Sequence, residues 1–203
     1  MMPFLPQETQ NELARLVERY GQPLVRTVDL GQTSQFDPIN KHDRYGEVCM
    51  VVRRRNGQLL TMKKTFYPTG AYRLLTGGID HEEAIFDALL RETNEETGLE
   101  VAVIRFLVAA AYLIADAGER PIFYTFAFLL DEIGGTLGAI DEDERVEAFL
   151  EIEPEQLPQR AAFLEQIEGP RFSKEIAGSW SDWGKFRAVI HHLVWEALNV
   201  TQA

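Results

Sequence analysis

The chain has 203 residues, of which 45% are hydrophobic and 26% charged, with a formal net charge of −12. This length fits one domain with a sizeable core, and the acidic balance argues against a surface built for polymeric nucleic acid, which needs a basic footprint. The single cysteine, Cys49, excludes an internal disulfide and fits a reducing compartment. No apolar run has the length or flanks of a signal peptide or a spanning helix, so a cytoplasmic protein is expected.

In chain order, residues 9–20 predict a helix, with Thr9 and Glu12 as a capping box and Leu13, Leu16, Val17 and Tyr20 as its apolar stripe. Residues 31–45 are polar and read as a loop. Residues 1–44 are therefore expected to be an extension that covers the domain or pairs two copies into a homodimer, with the domain itself at 45–203. Residues 47–55 predict a strand, and the continuous apolar centre at 48–52 predicts burial on both faces. Asn56-Gly57 signals a hairpin, from which 58–66 return antiparallel. Arg53, Arg54, Arg55, Lys63 and Lys64 on that hairpin read as charges that keep an edge strand soluble, with steering of an anion as the alternative. A short strand follows at 71–75.

Beyond residue 99 come a buried strand or two to 114, a turn at 116–119 and an aromatic strand at 121–130. A glycine-containing acidic loop at 134–144 precedes a last strand at 146–152 and a helix at 154–167. Residues 182–199 predict a final helix with Phe186, Val189, Ile190, Leu193, Val194 and Leu198 on one stripe. Trp180 and Trp183 read as anchors for it, His191 and His192 as surface or packing residues, and Cys49 as a small buried hydrophobe. Strands mixed with helices in this order suggest a mixed sheet between helical layers.

The informative stretch is 77–99, GGIDHEEAIFDALLRETNEETGL. Asp80 and Glu83 read as N-cap and capping-box glutamate, Gly98 as the left-handed stop, and Gly77-Gly78 as a tight turn exposing backbone N–H groups. Ile85, Leu89 and Thr93 form the buried stripe, while Ala84 and Ala88 stand in line with Glu92 and Glu96. Glu92, Glu95 and Glu96 share one face, where like charges repel. A hard divalent cation relieves that repulsion, because Mg²⁺ takes oxygen ligands and keeps waters that substrate phosphates displace.

Gly77, five residues, Glu83, seven residues, Arg91-Glu92, two residues, Glu95-Glu96, one residue, Gly98 and Leu99 resemble the box of the Nudix hydrolases at every fixed position. Thr93 stands where an aliphatic is usual, a packing substitution, and Glu82 stands where glycine is common, which bears on loop shape. The resemblance implies an α/β/α sandwich of the Nudix type, a mixed β-sheet with the box as strand-loop-helix. It also implies hydrolysis of the pyrophosphate linkage of a nucleoside diphosphate derivative with Mg²⁺ or Mn²⁺. The implied metal ligands are Glu92, Glu95, Glu96 and the Gly77 carbonyl, with Arg91 and Glu83 paired to orient loop and helix.

The resemblance implies a general base from the box or from a downstream acidic loop, where Glu144 and then Glu142 are the candidates. Arg73, Gly77 and Gly78 are the substrate-binding candidates, and Tyr67, Tyr72 and Phe172 are aromatics able to stack on a base or to pack in the core. Residues Ile114, Ala115 and Asp116 stand where two substrate subfamilies carry a marker proline or tyrosine, so neither subfamily is supported. Two other readings stand beside the hydrolase: a non-catalytic nucleotide-sensing module of the same fold, and an isoprenyl diphosphate isomerase. The isomerase wants an active-site cysteine, and Cys49 precedes the box.

Overall fold

The apolar run at 48–52 forms the centre of β2 (Arg44–Arg53), where all five side chains are fully buried. In the computed structural model, which describes residues 2, 4–33, 36–115, 118–170 and 172–200, β2 is flanked on both sides. It runs parallel to β6 (Phe123–Gly135) and antiparallel to β4 (Arg73–Asp80). A seven-stranded mixed sheet results, in the order β1-β5-β6-β2-β4-β3-β7. Its other members are β1 (Leu24–Asp29), β3 (Leu59–Lys64), β5 (Leu99–Leu113) and β7 (Val146–Ile152).

Two apolar layers sandwich this sheet. On one face α1 (Gln7–Tyr20) and α2 (Ile85–Thr97) pack through Leu16, Ile85, Ala88 and Leu89 onto Val48, Met50 and Phe128. On the other, α3 (Leu157–Glu165) and α4 (Trp180–Asn199) bury Leu164, Trp183, Phe186 and Ile190 against Cys49, Val51 and Leu74. Alternate residues of one strand thus feed opposite cores, as the period of two requires. This is the α/β/α sandwich with a mixed sheet. Among the described residues, no helix is long and apolar enough to cross a membrane.

The Asn56-Gly57 turn forms, with Gly57 at φ 91° and its N–H on the Arg54 carbonyl at 2.9 Å. The hairpin ladder does not continue, because β2 and β3 pair only at Arg53 and Leu59 before β4 inserts between them. With β4 on one side and β7 on the other, β3 is no edge strand. The cations there are consequently not spread as solubilising charges. Arg53 bonds Asp131 at 2.7 and 2.9 Å, and Arg54 reaches Glu132 and Glu151.

Strand β1 was not legible in the sequence. It is only six residues long, mostly exposed, and pairs in parallel with a strand some eighty positions later. Residues 99–113 form one strand, in which register shifts interrupt the alternation. The helix expected at 154–167 is split into a 3₁₀ turn (Pro154–Gln156) and α3, and α4 starts at Trp180 behind an Ser179 cap. Asp116 and the start of its turn lie outside the described residues.

Candidate active site

Gly77 and Gly78 lie inside β4, opposite Val48 and Glu47 of β2, and not in a tight turn. The missing side chains serve close approach instead. A Cβ on Gly77 would stand 2.1 Å from Cγ and Cδ of Glu92, and one on Gly78 would stand 2.0 Å from the Arg44 guanidinium. The two glycines let an acid of α2 and an arginine of β2 lie against the strand.

Helix α2 begins at Ile85, four residues later than an Asp80 cap requires. Glu82, at the position where glycine is common, takes φ 69° and breaks any helix there. Glu83 turns back, accepting from the Asp80 N–H at 3.0 Å and from Arg91 at 2.8 and 2.9 Å. Ala84 occupies the N-cap position and offers no side-chain acceptor. Glu12 of α1 takes that role, accepting from the N–H groups of Ile85 at 3.1 Å and Phe86 at 3.0 Å. Neither expected capping box forms at its helix start. The buried stripe does form, with Thr93 donating to the Leu89 carbonyl at 2.6 Å, and Gly98 closes the helix at φ 64°.

Arg91 fastens the loop to the helix. Besides Glu83 it donates to the Gly78 carbonyl, to Glu92 and to Glu95, each at 3.0 Å. The Arg91 hydrogen bonds hold the Glu83 carboxyl below its ordinary range. Glu92 is pushed up, because burial outweighs the pull of Arg91 and the charges of Glu144 and Glu95 add to it. Glu95 is about a third exposed, turns to Arg91, and does not line the cavity described below.

Glu96 is fully buried, and burial raises its carboxyl to about 7 against the opposing charges of Lys64 and Arg73. As a carboxylate it has no hydrogen-bond donor on either oxygen. As the acid it can donate to Glu144. Lys64 Nζ stands 3.4 Å from Glu96 and 2.6 Å from Glu144. Burial pushes the Glu144 carboxyl up, but the charge and hydrogen bond of Lys64 outweigh it and leave it low. Lys64 thus stands among the candidate site's acids and is not a solubilising edge charge. The strand period is the signal that separates it from Lys63, which pairs with Glu147. Glu142 shares a 3₁₀ turn with Glu144, and its side chain lies outside the described residues.

Arg73 neither faces outward nor stands free. It is 2% exposed and donates to the Tyr67 hydroxyl, the Leu74 carbonyl and Thr76 Oγ1, so all its hydrogen-bond partners are neutral. Beneath it Arg187 grips Glu47 with bonds of 2.7 and 2.8 Å, and His191 accepts the Leu74 N–H at 3.0 Å. Tyr67 packs against Trp180 and Trp183, while Phe172 is 62% exposed.

Glu92, Glu96, Asp143 and Glu144 line a cavity of about 440 Å³, whose rim also carries Lys41, Arg44, Lys64 and Arg145. A second chamber of about 180 Å³ shares Thr76, Gly77 and Gly78 with it and reaches Arg73, Arg187 and Trp183. Among the described residues, no three acidic, histidine or cysteine side chains yet stand together in metal-ligand geometry. Arg91 holds Glu92 and Glu95, and Lys64 lies between Glu96 and Glu144. The ligand chemistry nevertheless fits a hard divalent ion, since Glu96 keeps two buried oxygens that make no hydrogen bond, and Glu92 is a second buried acid.

The loop and helix thus place buried acids and several cations in one cleft. The sequence profile of the NUDIX domain matches residues 44–170, and the chain belongs to that family. It is 32% identical over 99 residues to the ADP-ribose pyrophosphatase of Methanocaldococcus jannaschii, covering 49% of this chain and 57% of that one. It is 31% identical over 90 residues to the NAD-capped RNA hydrolase NudC of Vibrio atlanticus, covering 44% of this chain and 31% of the relative. The matches therefore span less than two thirds of either relative. A crystal structure of an ADP-ribose pyrophosphatase from Streptococcus suis aligns with 77% of this chain and 93% of its own, at 16% identity and a TM-score of 0.45.

Proposed function

We propose that the chain is a metal-dependent pyrophosphohydrolase that cleaves the P–O–P linkage of a nucleoside diphosphate derivative. The observation that carries this is Glu96, buried with two oxygens that make no hydrogen bond and lining a cleft that also carries Lys41, Arg44, Lys64 and Arg145. In a chain of net charge −12, cations gathered at one cleft favour a polyanionic substrate. The profile match supports the class of reaction, and the relatives support nucleotide derivatives as the substrate class.

In this reading Glu92, Glu96 and the Gly77 carbonyl would hold Mg²⁺ or Mn²⁺, and Glu95 would join them on leaving Arg91. Such an ion, when bound, would supply neutralisation of phosphate charge and activation of water. Arg91 and Glu83 fix the helix against the loop. Lys41, Arg44 and Arg145 bind phosphate oxygens, with Arg73 and the N–H groups of Gly77 and Gly78 behind them. Glu144, kept ionised by Lys64, accepts a proton as water oxygen attacks phosphorus. The bond from phosphorus to the bridging oxygen breaks, and the second phosphate leaves with that oxygen.

The test is release of phosphate or nucleoside monophosphate from a panel of nucleoside diphosphate derivatives, ADP-ribose and NAD included, with Mg²⁺ and Mn²⁺. Turnover that requires the metal and stops with EDTA is the expected result. Binding across the panel without turnover would replace this reading with the non-catalytic sensing module.

A further inference from the structure

We infer that Glu12, outside the box and on the other side of the cleft loop, is a positioning residue for the metal-binding helix. Helix α2 carries Glu92, Glu95 and Glu96, and its first N–H groups have no partner from their own cap residue, Ala84. Glu12 comes from 73 residues earlier and supplies both carboxylate oxygens, one to Ile85 and one to Phe86. A negative charge there also opposes the positive end of the helix dipole.

The helix that carries this acceptor is itself held in place. Tyr20 stacks on Phe86 with ring centroids 5.9 Å apart and planes at 12°, and the Arg19 guanidinium lies over both rings. Helix α1 is therefore clamped to α2 at its C-terminal end as well as through Glu12. Immediately before these clamped residues runs the loop in which Glu82 takes a left-handed backbone, a conformation that costs free energy in any residue other than glycine. The loop's internal fastener is Glu83 on Arg91. Glu12 is the external one, and together they set where α2 starts and so where its acids point.

This role rests on the hydrolase reading only in its kinetic arm. In the full-length chain, Glu12→Ala is expected to speed amide exchange at Ile85 and Phe86 by roughly five- to tenfold, with no comparable change in β2 or β6. Turnover should fall by a similar factor, and the Mg²⁺ concentration for half-maximal activity should rise, at nearly constant substrate KM. Ala84→Ser supplies a local cap at a residue whose backbone is already extended, φ −72° and ψ 142°. Added to Glu12→Ala it should restore both exchange and metal dependence.

Unchanged exchange at those two amides in Glu12→Ala would overturn the inference. So would exchange that rises equally through the whole sheet, or a metal dependence that Ala84→Ser leaves unrepaired. A wild-type chain that hydrolyses nothing would count against the proposed function, while the exchange measurement would still judge the cap.

Discussion

At the scale of single residues, two buried titratable groups shape the pH behaviour, with opposite sign. The Glu96 carboxyl sits at about 7 where an ordinary glutamate is near 4.5. A raised acid contributes stability that is full below pH 4.5 and is lost as pH rises through 7. In EDTA, Glu96→Gln should therefore melt above the wild type at pH 8, by up to about 3 kcal/mol of stability, and match it near pH 4. Thermal melts at the two pH values check this.

His191 is the reverse case. Burial drives it from 6.5 to about 3, despite the bond it makes to the Arg187 carbonyl. Its contribution is present above pH 6.5 and is lost as pH falls toward 3. His191→Gln keeps an acceptor for the Leu74 N–H and should flatten the decline of stability between pH 6.5 and 4. That decline is about 1.4 kcal/mol per pH unit for one proton. Lys64→Met should raise the carboxyls of Glu96 and Glu144, moving the acid limb of the pH–rate profile upward.

At the scale of elements, what the sequence made legible was local. The stripe Ile85, Leu89 and Thr93, the stop at Gly98 and the doubly buried run at 48–52 each follow from spacing within a few residues, and each stands as expected. What escaped was set by partners far along the chain. The cap on α2 comes from α1, β4 inserts between the strands of the apparent hairpin, and Gly77-Gly78 serve side-chain approach from Glu92 and Arg44. A Gly-Gly pair reads locally as a turn, and nothing in its own neighbourhood distinguishes the two uses. Gly77→Ala is the test of the second use. The added Cβ displaces Glu92 while leaving the strand pairing intact, so turnover should fall at least roughly tenfold with a melting point lowered by only a few degrees. A variant with wild-type turnover would show that Glu92 has other room.

At the scale of the whole molecule, the cleft is where both layers and the sheet meet. Its walls come from the loop at 37–41, from β2, β3 and β4, from α2, from the 142–145 turn, and in the second chamber from α4. A chain with a strong net negative charge that gathers Lys41, Arg44, Lys64 and Arg145 here should show kcat/KM for an anionic substrate falling as salt rises. Composition set the overall sign of the charge but not this local balance, in which five cations, Arg91 among them, face five acids, Asp80 among them.

The proposed function turns on Glu96 holding a divalent ion against a pyrophosphate. The measurement is Mg²⁺-dependent turnover of the preferred substrate by the wild type and by Glu96→Gln, with melts to show that both are folded. A folded variant slowed at least roughly a hundredfold is the predicted result. Near-normal turnover in that variant would contradict the account.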